Sequence, residues 1–421
     1  LPPPDPATQR RLWDETLRDN IFVVCKTRMA RAITLRTLRG FRDKVRCNVR
    51  AFDDFVGQFR NKPDLVRMKL SNGAGYWKTN KEPSMHFNAI VGNPPYQEMG
   101  GSGGTNDASI YQLFCAAASG LEPDCVSMVV PSRWFAGGRE NLLGAFRKDM
   151  LCGGRVRCLH AFASSRDLFP TVEIKGGVCY YLELKGRTGP CQYYLHRDGE
   201  TLPYPKRKLD AFDILVRDPE LARIVEAVKA KMGELGETAA VDSLLSGDTP
   251  FGIPTNPASS KKTPFPVRDR RGGGFDVELH YLGGGQKRAV AYVRREDIRK
   301  NAQDIDADKV FIAKSGGSGA DDIILSEPIV APKGSVCSQT FIYAKFGSAE
   351  EAANFADYLR TRFFRALVSA RKITQDALSK VYSFVPVQDF TRPWTDADLF
   401  DKYDLDAPAR RWIEENIKEM K

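Results

Sequence analysis

The tetrapeptide Asn93-Pro94-Pro95-Tyr96 is the part of this sequence best suited to chemistry. It directly follows an apolar run, Phe87-Asn-Ala-Ile-Val-Gly92, that reads as a buried strand. Loops at the carboxyl ends of strands in open α/β sheets are where ligands bind. Two consecutive prolines stiffen the loop and remove two amide donors, which leaves carbonyl oxygens free to face a ligand. The Asn93 side-chain oxygen and the Pro94 carbonyl together can accept both hydrogens of an exocyclic amino group. That arrangement turns the nitrogen lone pair toward an electrophile, with Tyr96 placed to stack on the attached ring. Methylation of a planar amine is the chemistry this suits. The plainer reading of the same four residues is a rigid turn.

The elements that must position this loop are legible around it. Ile21-Phe-Val-Val-Cys25 forms a short strand, and Met29, Ile33, Leu35 and Leu38 follow at helical spacing up to Gly40. The stretch from Gly57 to Pro83 lacks periodicity and reads as a long loop or insertion. Helices are expected from about Asp107 to Ser119 and from Arg139 to Met150, with strands over Cys125–Val130, Val156–Phe162 and Gly177–Leu184. This alternation argues for a doubly wound α/β domain. After about residue 215 the character changes, and Leu244–Gly285 is rich in Gly, Pro, Ser and basic residues. Strands follow at Lys309–Ala313, Ile329–Ala331 and Thr340–Ala344, then one long helix from Ala349 to about Ala370. An α/β domain over residues 1–230 and an α+β domain over 231–421 are therefore expected.

Composition narrows the class. The 421 residues carry 63 Lys+Arg against 53 Asp+Glu, a formal charge of +10 that favours polyanionic partners. With 42% hydrophobic residues the chain is globular, and its length calls for more than one core. The longest apolar runs fall far short of the roughly 20 residues of a membrane helix, and no secretion signal opens the chain. Nine cysteines form no Cys-x-x-Cys pair, which suits reduced thiols and a cytoplasmic location and makes a cysteine metal site unexpected. His86, His160, His196 and His280 stand far apart without metal-ligand spacing. Asp124 and Glu173-Ile-Lys175 spell the acidic-plus-lysine pattern of metal-dependent nucleases, but two strands and a helix separate the halves.

Taken in order, the motifs resemble the amino-methyltransferases that act on adenine N6 in DNA, those of restriction–modification systems with a C-terminal target-recognition domain. Asn93-Pro-Pro-Tyr96 carries the resemblance most specifically. Asn48-Val-Arg-Ala-Phe-Asp-Asp-Phe55 is similar to the segment whose acid lies near the adenine of S-adenosylmethionine, which implies that role for Asp53 ahead of Asp54. Val129–Phe135 resembles the strand-and-proline segment after the catalytic strand. Leu168–Val178 resembles the later segment whose aromatic side chain packs on the flipped base, implying Phe169 beside Tyr96. Thr361–Arg365 and Tyr382–Pro386 are similar to the end of such recognition domains, so the resemblance spans most of residues 15–400.

The resemblance implies a Rossmann-like methyltransferase domain followed by a target-recognition domain. Catalysis would fall to Asn93, Pro94, Pro95 and Tyr96, with S-adenosylmethionine held by Asp53 and Asn93. The substrate would be double-stranded DNA with its target adenine rotated out of the stack, and a restriction endonuclease domain or subunit would be the companion. Lys261, Lys262, Arg268, Arg270 and Arg271, with Lys287, Arg288, Arg294 and Arg295, become candidates for phosphate contacts, against the plainer reading of a solvated loop surface. Arg360, Arg362 and Arg365 are expected to face solvent or DNA, whereas Phe363 and Phe364 pack.

The sequence departs from the family in the cofactor half. No glycine-rich loop lies between Leu1 and Ile21, and Cys25-Lys26 stands where an acid would bind the ribose hydroxyls. Gly283-Gly-Gly285 and Gly316-Gly-Ser-Gly319 lie in the other half, and no helix is expected after the second. With Leu1-Pro-Pro-Pro in place of a starting Met, a missing upstream segment is the expectation. Two alternatives stay open. One is a catalytically inactive DNA-binding or specificity protein or fragment. The other is a protein glutamine methyltransferase, a family that shares the Asn-Pro-Pro-Tyr loop but lacks a basic C-terminal half.

Overall fold

The computed structural model describes residues 3–79, 84–98, 108–137, 140–258, 265–283, 288–315, 324–372 and 377–420. The chain begins with α1 (Pro6–Asp19), β1 (Phe22–Cys25), α2 (Arg28–Arg39) and β2 (Asn48–Ala51). Asp5 caps α1 by accepting the Ala7 and Thr8 amides, and Thr27 caps α2. β1 and β2 pair in parallel as a sheet of their own. The stretch expected as a long loop after Gly57 is instead α3 (Phe55–Asn61), α4 (Pro63–Ser71) and a wide helical turn, Gly73–Trp77. Pro63 opens α4 at a position where its missing N–H costs nothing, and Asp54 caps α3. Each helix is too short to show a period. Together they give Phe59, Val66 and Leu70 to a small core with Phe52, Trp77, Ile110 and Phe114.

The next unit comprises β3 (Ala89–Gly92), β4 (Gln97–Glu98), β5 (Ala108–Ser109), α5 (Tyr111–Gly120), β6 (Cys125–Pro131), α6 (Glu140–Cys152), β7 (Val156–Phe162), β8 (Val178–Leu184), β9 (Cys191–Arg197) and β10 (Glu200–Arg207). Six of these strands form one sheet in the order β10-β9-β7-β8-β6-β3. β3 and β6 are parallel, as are β7 and β9, and β8 lies antiparallel between β6 and β7. The α/β class expected from strand–helix alternation is the one adopted, with a mixed sheet. On its core face Val126, Met128, Val130, Leu159, Cys179, Tyr181, Tyr193 and Leu195 lie against Tyr111 and Cys115 of α5 and Leu143 and Met150 of α6. Burying each Val, Leu or Met there stabilises by about 1.5–3 kcal/mol, so the alternation along each strand holds the register.

The C-terminal half contains α7 (Pro219–Glu234), β11 (Val277–Leu282), β12 (Arg288–Val293), β13 (Asp308–Ala313), β14 (Ile329–Ala331), β15 (Ser335–Cys337), β16 (Phe341–Phe346), α8 (Ala349–Arg360), α9 (Arg362–Arg371), α10 (Asp396–Lys402) and α11 (Ala407–Asn416). Its strands form two sheets, β12-β11-β15 and β14-β13-β16. The single long helix expected from Ala349 is two, because Thr361 is extended and its side chain caps α9 at the Phe364 amide. α7 packs Leu221, Ile224, Val225 and Val228 into one core with Phe355, Phe363, Phe364 and Leu367. That core begins at Ile214, so the division expected at 230/231 runs through α7.

On the face of the central sheet opposite its core, the rings of Tyr180, His160 and Tyr194 stack across β8, β7 and β9 with centroids 4.3 and 4.2 Å apart. His196 joins them, its Nε2 2.9 Å from His160 Nδ1. The two histidines, far apart in sequence, meet because β7 and β9 pair in parallel with His160 opposite Tyr194. Burial, together with the His196 ring beside it, pushes His160 down to about 4. Burial lowers His196 as well. Both rings are neutral in the fold, so their contribution is complete above the ordinary value of 6.5 and is lost as pH falls toward 4. The urea midpoint is therefore expected to drop between those values, and His160→Phe, which keeps the stack without titrating, should make the profile shallower. An unchanged profile in the variant would assign the loss to other groups.

Candidate active site

Three loops meet at one end of the central sheet. β3 runs into Asn93–Tyr96, β6 into Ser132–Trp134, and residues 163–177 join β7 to β8. The pairing of Gly92 with Met128, of Pro131 with Val178 and of Phe162 with Val178 puts all three loops at the same end. Asn93 is exposed, while Pro94, Pro95 and Tyr96 are half-buried. The Tyr96 carbonyl accepts the Ile110 amide at 3.1 Å, which ties the loop to the start of α5. The Tyr96 side chain rests against the core of the sheet. Burial, with the Cys179 thiol nearby, pushes its phenol up to about 12, and the Asn93 side chain offsets part of that rise. The phenol is neutral at physiological pH, and its oxygen is enclosed without a well-formed hydrogen bond.

The neighbouring loops are firmly held. Arg147 of α6 is 5% exposed and donates to the Trp134 and Gly137 carbonyls, each at 2.7 Å. The Ser132 amide donates to the Gly177 carbonyl at 3.0 Å. Between β7 and β8, Ser165 Oγ donates to the Val172 carbonyl at 2.9 Å and accepts the Ile174 amide at 2.7 Å. The Phe169 amide reaches the Ser165 carbonyl at 2.7 Å, which leaves the half-buried Phe169 at the same end of the sheet as Tyr96.

Asp53 stands just past the end of β2, its side chain 92% exposed and 3.4 Å from the equally open Arg28. An ion pair so open to water holds its carboxylate weakly and leaves it available. Asp54 is occupied, since it takes a left-handed conformation and accepts the Gly57 amide as the cap of α3. Phe55 stacks on Phe114 of α5 at 5.0 Å, and Arg60 pairs with Glu98, so α3 packs on α5 and is tied to β4, the strand after the Asn93 loop. Cys25, which ends β1 where the resemblance leads one to expect an acid, is 6% exposed with its Sγ 3.7 Å from Thr34 Oγ1. The end of β1 therefore presents no carboxylate. Asp53 is open enough to accept from a ligand's donor edge, whereas the end of β1 offers no carboxylate to a pair of ribose hydroxyls.

β3 is an edge strand: among the described residues it pairs with β6 alone, and Val91 is 76% exposed. The nuclease-like pattern is taken apart by the fold. Asp124 precedes β6 at the far end of the sheet and pairs with His86, whereas Glu173 pairs with Arg166 at the near end. Among the described residues no three His, Cys, Asp or Glu side chains gather as a metal site, and no helix is long and apolar enough to cross a membrane.

Of the basic candidates, Arg268, Arg270 and Arg271 are exposed ahead of β11, and Arg288 donates to the Glu327 carbonyl. Arg294 pairs with Glu296 and Arg295 with Asp306. Lys261, Lys262, Lys287 and Gly316–Gly319 lie outside the described residues. Arg365, expected to face solvent or DNA, is buried, its guanidinium taken by the Arg360, Thr361 and Lys418 carbonyls. Arg360 pairs with Glu327 and Asp357, and Arg362 with Glu419.

Gly177 sets the approach of two of the loops. It sits at φ +76°, where a Cβ would lie 2.1 Å from the Phe162 carbonyl oxygen. Gly177→Ala is therefore expected to destabilise by about 2–3 kcal/mol, read as a lower urea midpoint, and an unchanged midpoint would mean that the loop relaxes freely.

Residues 19–169 match the family described as Eco57I restriction-modification methylase, a range that contains Asp53, Asn93–Tyr96 and Phe169. A protein of Mycoplasma pneumoniae (strain ATCC 29342 / M129 / Subtype 1), described as an uncharacterized adenine-specific methylase, is 36% identical over 121 residues, 28% of this chain and 28% of that protein. Among solved structures, the type IIL restriction-modification enzyme MmeI in complex with DNA is 12% identical with a TM-score of 0.42, over 90% of this chain and 62% of that one. The DrdV–DNA complex is 12% identical with a TM-score of 0.46, over 97% of this chain and 52% of that one. The chain thus spans less than two thirds of the length of each. Over residues 19–169 the chain is thus similar to the Eco57I restriction-modification methylase family.

Proposed function

We propose that the chain acts on double-stranded DNA as a site-specific adenine-N6 methyltransferase within a restriction–modification system. The observation that carries this reading is Asn93-Pro94-Pro95-Tyr96 at the carboxyl end of β3, at the same end of the sheet as the loops after β6 and β7. The family match over the same residues and the adenine-specific name of the Mycoplasma relative support it.

The target adenine leaves the stack, because its amino group is otherwise shielded inside the duplex. Asn93 Oδ1 and the Pro94 carbonyl accept its two amino hydrogens. The nitrogen lone pair is thereby held out of the ring plane and toward the donor. Tyr96, neutral in its half-buried setting, and Phe169 flank the ring. S-adenosylmethionine, when bound, supplies a methyl group on a sulfonium, and Asp53 accepts from its adenine edge. Catalysis rests on positioning and needs no covalent enzyme intermediate. The C-terminal half selects the sequence, with Lys261, Lys262, Arg268, Arg270, Arg271, Lys287 and Arg288 as DNA contacts, and a restriction endonuclease domain or subunit is the companion.

Asn93→Ala is expected to lower methyl incorporation into plasmid DNA roughly 10²-fold, as loss of one polar contact to a reacting group does. Normal methylation by that variant would sink the mechanism. Asp53→Ala should instead weaken S-adenosylmethionine about tenfold in a calorimetric titration, since a charge-assisted hydrogen bond is lost. The buried Cys25 favours a second reading, a DNA-binding protein without turnover. Its result would be sequence-selective DNA binding with no saturable S-adenosylmethionine binding.

A further inference from the structure

Residues 268–276, Arg-Asp-Arg-Arg-Gly-Gly-Gly-Phe-Asp, make a closed excursion at the edge of the sheet that holds β11 and β12. Arg268 exchanges both backbone hydrogen bonds with Tyr292 of β12, at 2.9 and 2.7 Å. The chain turns back through Gly272, Gly273 and Gly274, all at positive φ, and Gly272 and Phe275 exchange backbone hydrogen bonds at 3.2 Å. A Cβ at Gly273 would sit 2.9 Å from the Arg268 guanidinium. This path fixes the backbone on both sides of residues 269–271.

The arginines of the excursion are of two kinds. Phe275, 5% exposed, carries two guanidinium groups on its ring, Arg268 at 4.4 Å and Arg294 at 4.7 Å. Arg271 donates twice to the Asp276 carbonyl, at 3.3 and 3.0 Å, and lies 5.9 Å over the Tyr292 ring. Arg270, between these anchored residues, is exposed and makes no ion pair, hydrogen bond or ring contact with any described residue. Asp269 and Asp276 offset two of the three guanidinium charges within the excursion, so it acts by placement and not by a strong net field.

Resting on the reading of the chain as a DNA methyltransferase, we propose that Arg270 reads a base. It enters the major groove and donates two N–H groups to O6 and N7 of a guanine, while Arg268, Arg271 and Arg294 hold phosphates and set the register. A guanidinium laid on an aromatic ring has given up its rotamer freedom before DNA arrives, which suits contacts to a regular backbone. An unpinned long side chain held between fixed neighbours has the reach for a base edge, and its paired donors match guanine.

The test uses the full chain, Arg270→Ala and Arg268→Ala. Each is taken through affinity selection from a randomised duplex pool with sequencing of the bound fraction. Anisotropy titrations of the selected duplex follow, between about 50 and 200 mM salt. The native chain should enrich a motif containing a G·C pair that becomes degenerate in Arg270→Ala. Replacing that pair should weaken the native chain about tenfold and leave the Arg270 variant unaffected. Arg268→Ala should keep the motif, weaken all duplexes alike and lower the salt slope by about one. If Arg270→Ala retains every position of the motif and lowers only the salt slope, Arg270 is a phosphate contact and the inference is overturned. If the native chain binds no duplex, or binds without any motif, the DNA-recognition reading itself falls and takes the inference with it.

Discussion

The antiparallel ladder between β6 and β8 is the constraint on which the end of the sheet that carries the candidate site depends. Its seven pairs run from Cys125 opposite Leu184 to Pro131 opposite Val178. A slip of one residue would turn Val126, Met128 and Val130 out of the core and bring Ser127 and Val129 in, so burial locks the register. β3 takes its direction from β6 and β7 takes its from β8, and the loops at their ends arrive together as a result. Gly177 closes the ladder where no side chain fits against the Phe162 carbonyl. The placement of Asn93 relative to Phe169 follows from hydrogen bonds formed well below either residue.

Much of this end was legible because its signals are local. An apolar run halted by two prolines marks a strand and a stiff loop wherever it occurs, and the strands over 125–130, 156–162 and 177–184 were each readable alone. What pairs with what was not readable. The antiparallel place of β8 and the meeting of His160 with His196 are products of pairing between strands distant in sequence. The helices α3 and α4 escaped notice because seven and nine residues give too few turns to show a period. The break at Thr361 was hidden inside a good helical pattern, where a single cap residue overrides propensity. That Asp54 is used up capping α3 while Asp53 stays open to water was not legible from two adjacent acids.

Net charge was a coarser guide than it looked. Lys309 is fully buried, its ammonium donating to the Asp304, Ile305 and Ala307 carbonyls at 2.9, 2.8 and 2.6 Å, and burial pushes it down to about 8. Arg147 and Arg365 are likewise enclosed and satisfied by backbone carbonyls, and Arg371 pairs with Asp213. These cations stitch loops and helix ends together, a use for which carbonyl-rich chain termini suit a multi-donor side chain. The formal charge of +10 therefore overstates what the surface presents to a polyanion. What matters for recognition is which guanidinium groups are left over once the fold has taken its share.

The open side of β3 carries a cost that the neighbouring prolines limit. Among the described residues the outer N–H and C=O groups of β3 have no strand partner, and such an edge is a template for any extended peptide that drifts past; Ala89-Ile-Val-Gly92 contains no charge to repel one. The template is only four residues long, because Pro94 and Pro95 cannot extend a ladder on that side. The prolines that stiffen the loop thus also act as gatekeepers against self-association. Relaxing them for flexibility would lengthen the exposed edge at the same time, which couples the tendency of the chain to self-associate to the rigidity of the Asn93 loop.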